Sequence, residues 1–180
     1  FRPSKGWEAW QMIIDSHVHL KHGDAAATEY SAEQIVEVMD GAGIDRSVVF
    51  AICTTTRRSI EMALEAVERF PDRLIPYAYA LPSYERPVIE ELHDALAGGR
   101  FRGVKIHVGE CRLREYITDP VFELAGNLGA PCLIDLGGDL ATAQRLLSRE
   151  GRINVIQALK CRCSGTDMSD IRDEIMRILP

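Results

Sequence analysis

The stretch Ile13-Ile14-Asp15-Ser16-His17-Val18-His19-Leu20 decides the fold prediction for this chain. It begins as a short apolar run typical of a buried strand and continues into two histidines that are two residues apart. A dinucleotide-binding fold would place a Gly-x-Gly-x-x-Gly loop after its first strand, but the first glycine of this region is Gly23. Imidazoles therefore stand where phosphate-binding glycines would lie, which favours a (β/α) barrel over an open doubly wound sheet.

Further β-branched runs follow the first at a spacing of about thirty residues, the period of a strand–helix unit. The predicted strands begin near residues 12, 46, 74, 102, 131 and 153. Amphipathic helical patterns separate them. The first starts at Ser31, which forms a capping-box pattern with Gln34; it has Val38 on its apolar stripe and is expected to end at Gly41 and Gly43. The fifth and sixth patterns lie near residues 140–147 and 171–179. Asp119 is expected to begin the fourth helix as an N-cap or first-turn acid. The sequence thus predicts an α/β protein of the TIM-barrel type with about six βα units.

The domain prediction is an N-terminal extension over residues 1–11 and a partial barrel over residues 12–180. Hydrophobic residues make up 46% of the 180 residues and charged residues 27%, which is a globular composition. The net charge of −6 and the lack of a basic run argue against a nucleic-acid partner, and no apolar run is long enough for a membrane helix. An odd number of cysteines predicts a reducing, cytoplasmic location. Since the first residue is Phe1 and not Met, we expect the chain to begin inside a longer product or to lack its first residues.

The two histidines of the opening stretch are the strongest candidates for a chemical role. Residues i and i+2 of a strand point to the same face, so His17 and His19 can reach one point above the end of the sheet. Two neutral imidazoles are a common half-site for zinc or another divalent ion. The alternative is a pair of histidines that make ordinary hydrogen bonds.

Four segments in order resemble the amidohydrolase superfamily, and most closely its amidohydrolase-2 branch, which includes aminocarboxymuconate-semialdehyde decarboxylase and related hydrolases. They are Ile13–His19, Gly43–Val49, Phe70–Pro76 and Phe101–His107. The resemblance covers roughly residues 12–150. It implies a distorted TIM barrel with a divalent metal, usually zinc, at the carboxyl ends of the strands. In such enzymes the metal activates water or polarises a substrate carboxyl group.

The resemblance also implies roles for particular residues. His17 and His19 match the family's first-strand metal ligands. Lys105 and His107 lie on the fourth strand, where some relatives place a metal-bridging lysine or a substrate-binding histidine, although Lys105 can equally form a strand-end salt bridge. His22 follows the first motif and is expected to line the substrate entrance.

The chain departs from the family pattern at the later strands. Asp135 stands where relatives have a histidine, so it is predicted as a third metal ligand and general base, with a loop or helix cap as the alternative. Cys161 and Cys163 offer soft thiolates, although free core cysteines explain them as well. The aspartate that ends the family's last strand has no counterpart before Pro180.

The predicted function is a metal-dependent hydrolase that acts on a small carboxylate, amide or lactone-like molecule, or a decarboxylase that uses the same metal face. The alternative is a catalytically impaired pseudoenzyme, or an assembly or binding subunit on a partial barrel. An open sheet of six strands exposes an edge, so we also expect a homo-oligomer.

Overall fold

The computed structural model describes residues 12–23, 27–107, 109–135 and 155–157, the last as backbone only. Strands and helices alternate along the chain as far as the fifth strand. The elements are β1 (Ile14–Leu20), α1 (Ala32–Ala42), β2 (Arg46–Ala51), α2 (Thr56–Arg69), β3 (Leu74–Tyr79), α3 (Ile89–Ala97), β4 (Gly103–His107), α4 (Glu115–Asn127), β5 (Cys132–Asp135) and β6 (Val155–Gln157).

The six strands form one parallel sheet in the order β1-β2-β3-β4-β5-β6. A doubly wound sheet reverses its strand order at a switch point, whereas a (β/α) barrel adds each strand beside the previous one. The observed order therefore confirms a partial barrel, in which β1 and β6 are the outermost strands of the described chain. The carboxyl ends of the strands all meet at one rim.

The two faces of the sheet bury different side chains, because successive residues of a strand point to opposite sides. The outer face packs against the helices through aliphatic residues such as Val49, Ala78, Val104 and Ile134. The inner face carries a second, more aromatic cluster. Its members are Val48, Phe50, Ile52, Tyr77, Tyr79 and Leu133. This inner cluster forms the floor beneath the rim.

Helix α1 confirms the predicted capping box and corrects two details. The Ser31 hydroxyl accepts from the Gln34 amide, and the Gln34 side chain accepts from the Ser31 amide. Gly43 ends the helix in the left-handed region with φ 71°, whereas Gly41 lies inside it. Val38, expected on the buried stripe, is 69% exposed because the helix turns its Ile35 and Met39 side towards the sheet.

The prediction that Asp119 begins the fourth helix is wrong. Helix α4 starts at Glu115, so Asp119 is its fifth residue. The carbonyl of Arg114 accepts from the amides of Ile117 and Thr118, which closes the first turn before Pro120. Proline removes one N–H donor and crowds the carbonyl four residues before it, yet the helix continues through Pro120.

Several predictions fall outside the described residues. They concern the N-terminal extension over residues 1–11, the helices expected near residues 140–147 and 171–179, and the pair Cys161 and Cys163. In the part of the chain that the structure describes, no helix has both the length and the apolar character needed to cross a bilayer.

Candidate metal centre

The imidazoles of His17 and His19 converge on the inner side of β1. Their Nε2 atoms are 2.9 Å apart and their ring centroids 4.9 Å apart. Both rings rest on buried Phe50 of the neighbouring strand, with centroid distances of 5.3 Å and 5.2 Å. The i, i+2 prediction is therefore confirmed as geometry, and the Phe50 ring restricts both imidazoles to one side.

Lys105 lies inside this group and is fully buried. Its Nζ is 3.5 Å from His17 Nε2 and 5.1 Å from the centroid of Phe50, a cation–π distance. The structure therefore places Lys105 beside the imidazole pair. A buried ammonium is an effective partner for an anion, because its field is weakly screened there.

His107, two residues further along β4, faces the same side. Its ring centroid is 6.4 Å from that of His19, in an edge-to-face arrangement. Its Nε2 is 3.5 Å from Asp135 Oδ2, and its Nδ1 is 3.9 Å from Glu110 Oε1. One imidazole therefore lies between two carboxylates, and its side chain stays partly open to solvent.

The predicted ligand set of His17, His19 and Asp135 is not assembled in the structure. Asp135 is buried, but its carboxylate faces His107, its partner in the register between β4 and β5. Within the described ranges, no three or more His, Cys, Asp or Glu side chains are grouped so that they could hold a metal ion. Among the described residues, Asp135 is therefore a neighbour of His107.

The two imidazoles by themselves could occupy two coordination positions of one divalent ion. Nitrogens 2.9 Å apart subtend about 90° at an ion held at Zn–N distances of about 2.0–2.1 Å. The remaining ligands would be water or residues outside the described ranges. The alternative is one N–H···N hydrogen bond between the rings, which the same distance allows.

Two of the described cysteines, Cys111 and Cys132, are buried. Burial raises the pKa of Cys132 to about 12 and that of Cys111 to about 11, so both are thiols at neutral pH when no metal is bound. Within the described ranges, neither belongs to a group of three or more potential ligands.

His22 is exposed, and its Nδ1 contacts Glu29 Oε2 at 2.9 Å beside a cavity of about 300 Å³ near α1 and α2. His17 and His19 line a cavity of about 620 Å³, and Glu29 and Tyr30 line both cavities. His22 does not itself line the cavity of His17 and His19, although its partner Glu29 does, so its place at the substrate entrance stays a prediction.

Sequence analysis missed three residues at this rim. They are Phe50, which carries the imidazoles, and Cys53 and Glu110, which follow β2 and β4. The available signal was their position at or just after the carboxyl end of a strand, where the site of a (β/α) barrel lies. Cysteine and glutamate are possible ligand types, but many loop residues share this position, so the signal was weak.

Cys53 adopts a left-handed backbone conformation, with φ 60°, at the exposed end of β2. That conformation costs a non-glycine residue about 1 kcal/mol or more. We expect Cys53→Gly to be more stable than Cys53→Ala by about 0.5–1 kcal/mol, since both lose the thiol but only glycine relieves the backbone. Urea unfolding of the two variants measures the difference, and equal midpoints would contradict the strain.

Comparison with known proteins places the chain in a family. The amidohydrolase-2 family model, described as Amidohydrolase, matches residues 14–167. The chain belongs to this amidohydrolase family. No curated protein matches the sequence of this amidohydrolase significantly.

Solved structures confirm its barrel type. A probable 2-pyrone-4,6-dicarboxylic acid hydrolase from Acinetobacter baumannii, crystallised with citric acid, is 15% identical, with TM-score 0.61 over 82% of this chain and 58% of its own. A 5-carboxyvanillate decarboxylase from Novosphingobium aromaticivorans with bound manganese is 16% identical, with TM-score 0.54 and coverages of 72% and 52%. A 4-oxalomesaconate hydratase from Rhodopseudomonas palustris is 17% identical, with TM-score 0.52 and coverages of 74% and 55%.

This amidohydrolase therefore spans somewhat more than half the length of these neighbours. The family and the neighbours are enzymes, and one neighbour holds a divalent metal. At such low identity the likeness establishes the fold, and the activity of this chain has to be argued from its own residues.

Proposed function

We propose that this chain is a metal-dependent hydrolase for a small carboxylate, amide or lactone-like substrate, with zinc or another divalent ion held by His17 and His19. The observation that carries the proposal is the 2.9 Å approach of the two Nε2 atoms beside buried Lys105. When bound, zinc supplies a Lewis acid that lowers the pKa of water towards neutrality. The family match supports the reaction class.

Lys105 is the proposed anion-binding residue. Its ammonium is buried next to His17 and above Phe50, so an entering carboxylate would gain a charge-assisted hydrogen bond in a weakly screened place. This contact orients the substrate towards the imidazole pair. It also explains why small acids are the favoured substrate class.

His107 and Asp135 form the proposed proton-handling pair. With Asp135 Oδ2 3.5 Å from its Nε2, the imidazole has a carboxylate that favours the protonated nitrogen on that side. The partly open ring can bind or polarise a substrate oxygen. Asp135 is the candidate general base, and His107 is the proton-exchanging neighbour of its carboxylate.

Decarboxylation is the second candidate reaction. The 5-carboxyvanillate decarboxylase shares the barrel fold. A buried lysine beside the imidazole pair can bind a carboxylate that is lost as CO₂ as well as one that is retained in the product. The non-catalytic alternative keeps its support from the incomplete ligand set in the described residues.

We also propose that the protein works as a homo-oligomer in the cytoplasm, on small molecules and without nucleic-acid or membrane partners. At the start of β1, Met12, Ile13 and Ile14 are exposed by 61%, 53% and 48%. Apolar side chains on an outer strand favour a covering partner. A reducing compartment accounts for the odd number of cysteines in the sequence.

An activity assay tests the proposal. Zinc-loaded protein is incubated with a panel of dicarboxylate lactones, acyl amides and hydroxybenzoates, and ring opening, ammonia and CO₂ are measured separately. We expect turnover of at least one class, and His107→Gln should lower it by about 10²–10⁴-fold because a proton-transfer group is lost.

The matched control is His93→Gln, which changes an exposed histidine of α3. Turnover in the control should equal that of the unmodified chain. A metal-loaded protein that turns over nothing in the panel would favour the pseudoenzyme, and an equal loss in both variants would remove the role of His107.

A further inference from the structure

Glu110 contacts the ends of three neighbouring strands. Its carboxylate oxygens accept from the Cys53 amide, beyond β2, at 3.3 Å and 3.2 Å. Oε1 lies 3.9 Å from Nδ1 of His107, on β4. The carboxylate is also near the buried Tyr79 hydroxyl of β3, and burial together with that negative charge raises the pKa of Tyr79.

The turn that carries Glu110 is itself fixed on His107. The carbonyl of His107 accepts from the amides of Glu110 and Cys111 at 3.1 Å and 3.0 Å. Gly109 lies directly against the imidazole, since a Cβ there would be 2.7 Å from Cε1 of His107. The ring is thus bounded by Gly109, by Glu110 on the Nδ1 side and by Asp135 on the Nε2 side.

The hydrogen bonds from the Cys53 amide connect the loop after β2, which has a strained backbone, to the turn after β4 that carries Glu110. A carboxylate that accepts a backbone N–H makes a charge-assisted bond, stronger than a neutral one. This bond stabilises the left-handed conformation of Cys53, so Glu110 holds the loop after β2 in place. The loop and the imidazole are therefore fixed relative to each other by one side chain.

We infer that Glu110 is a positioning residue that orients the His107 imidazole and clamps the loop at Cys53 onto the rim. The effect of Glu110 on catalysis rests on the proposed function, whereas its contacts with Cys53 and His107 do not. Glu110 need not touch substrate or metal. Its carboxylate bounds the Nδ1 side of the His107 ring, and its oxygens hold the Cys53 amide of the loop after β2.

The test compares Glu110→Gln and Glu110→Ala by NMR of the full chain at one pH. Glutamine keeps an acceptor for the Cys53 amide but removes the charge beside His107, whereas alanine removes both. We expect hydrogen exchange of the Cys53 amide to accelerate about tenfold in Glu110→Ala, since a bond to a charged group is lost, and much less in Glu110→Gln. The His107 ring cross-peaks, assigned with His107→Gln, should shift in both variants more than those of any other histidine.

Glu123→Gln, on the exposed side of α4, is the matched control and should leave both signals unchanged. Unshifted His107 cross-peaks in the folded Glu110→Gln variant, or an unchanged Cys53 exchange rate in Glu110→Ala, would overturn the inference. If alanine prevents folding, Glu110→Gln alone decides through the His107 signals.

Zinc content is measured on the same samples. We expect the zinc content to be equal in all of them, because Glu110 is not a proposed ligand. If no sample binds zinc, the proposed function is refuted, but the hydrogen-exchange and His107 measurements still test the role of Glu110.

Discussion

Replacing His17 and His19 together by alanine should reduce the zinc content of the purified chain from about one ion to nearly none. Each neutral imidazole supplies one of the few metal bonds, and their Nε2 atoms are the two described donors that meet. Zinc binding to structural sites amounts to about 10–16 kcal/mol, so the loss of two ligands lowers affinity by many orders of magnitude. Elemental analysis after dialysis against dilute zinc measures the content.

The control for this experiment is His22→Ala. It removes an exposed imidazole with the same intrinsic affinity, which pairs with Glu29 and does not itself line the cavity of His17 and His19. The control should retain the full zinc content. If the double variant binds as much zinc as the control, or if the unmodified chain binds none, the pair is a hydrogen-bonded couple and the metal-dependent proposal fails.

Gly103→Ala should cause the largest loss of stability among single-methyl changes in the sheet. A Cβ at this position would lie 2.5 Å from the Tyr77 ring and 2.7 Å from the Pro131 carbonyl oxygen. The ring can shift, but the carbonyl belongs to the backbone that leads into β5. Overpacking costs about 1–3 kcal/mol, and we expect the upper end because β3, β4 and β5 must all move.

Thermal unfolding measures the effect, and a loss of about 3 kcal/mol corresponds to about 6–12 °C for a chain of this length. Gly98→Ala is the matched control, because its φ of −68° suits alanine and its nearest new contact is at 3.5 Å. That variant should be unchanged or slightly more stable. If the two melt together, Gly103 is not sterically required.

The strand–helix alternation could be predicted because it is a local property. Strands β2 and β3 lie where their β-branched and aromatic runs predicted them, and the capping box starts α1 at Ser31–Gln34. The bounds of α4 could not be predicted, because Pro120 looks like a helix start while the turn before it forms through the Arg114 carbonyl. The exposure of Val38 depends on which side of α1 faces the sheet, which no local pattern determines.

The candidate site was predictable in part for the same reason. His17 with His19, and Lys105 with His107, share a face because strand geometry fixes residues two apart. The partner of Asp135 was not predictable, since it depends on the register between β4 and β5. Glu110 was missed because its role exists only where three strand ends meet.

The sequence by itself determined the alternation of strands and helices, the strands that carry the candidate site residues, and the shared face of each pair of residues two apart. These properties follow from backbone periodicity within single segments. Only the tertiary structure decided that Phe50 supports both imidazoles, that the Lys105 ammonium is buried against His17 and that His107 lies between two carboxylates. These contacts join residues from different strands. Their distances are set by sheet register and close packing, which no single segment contains.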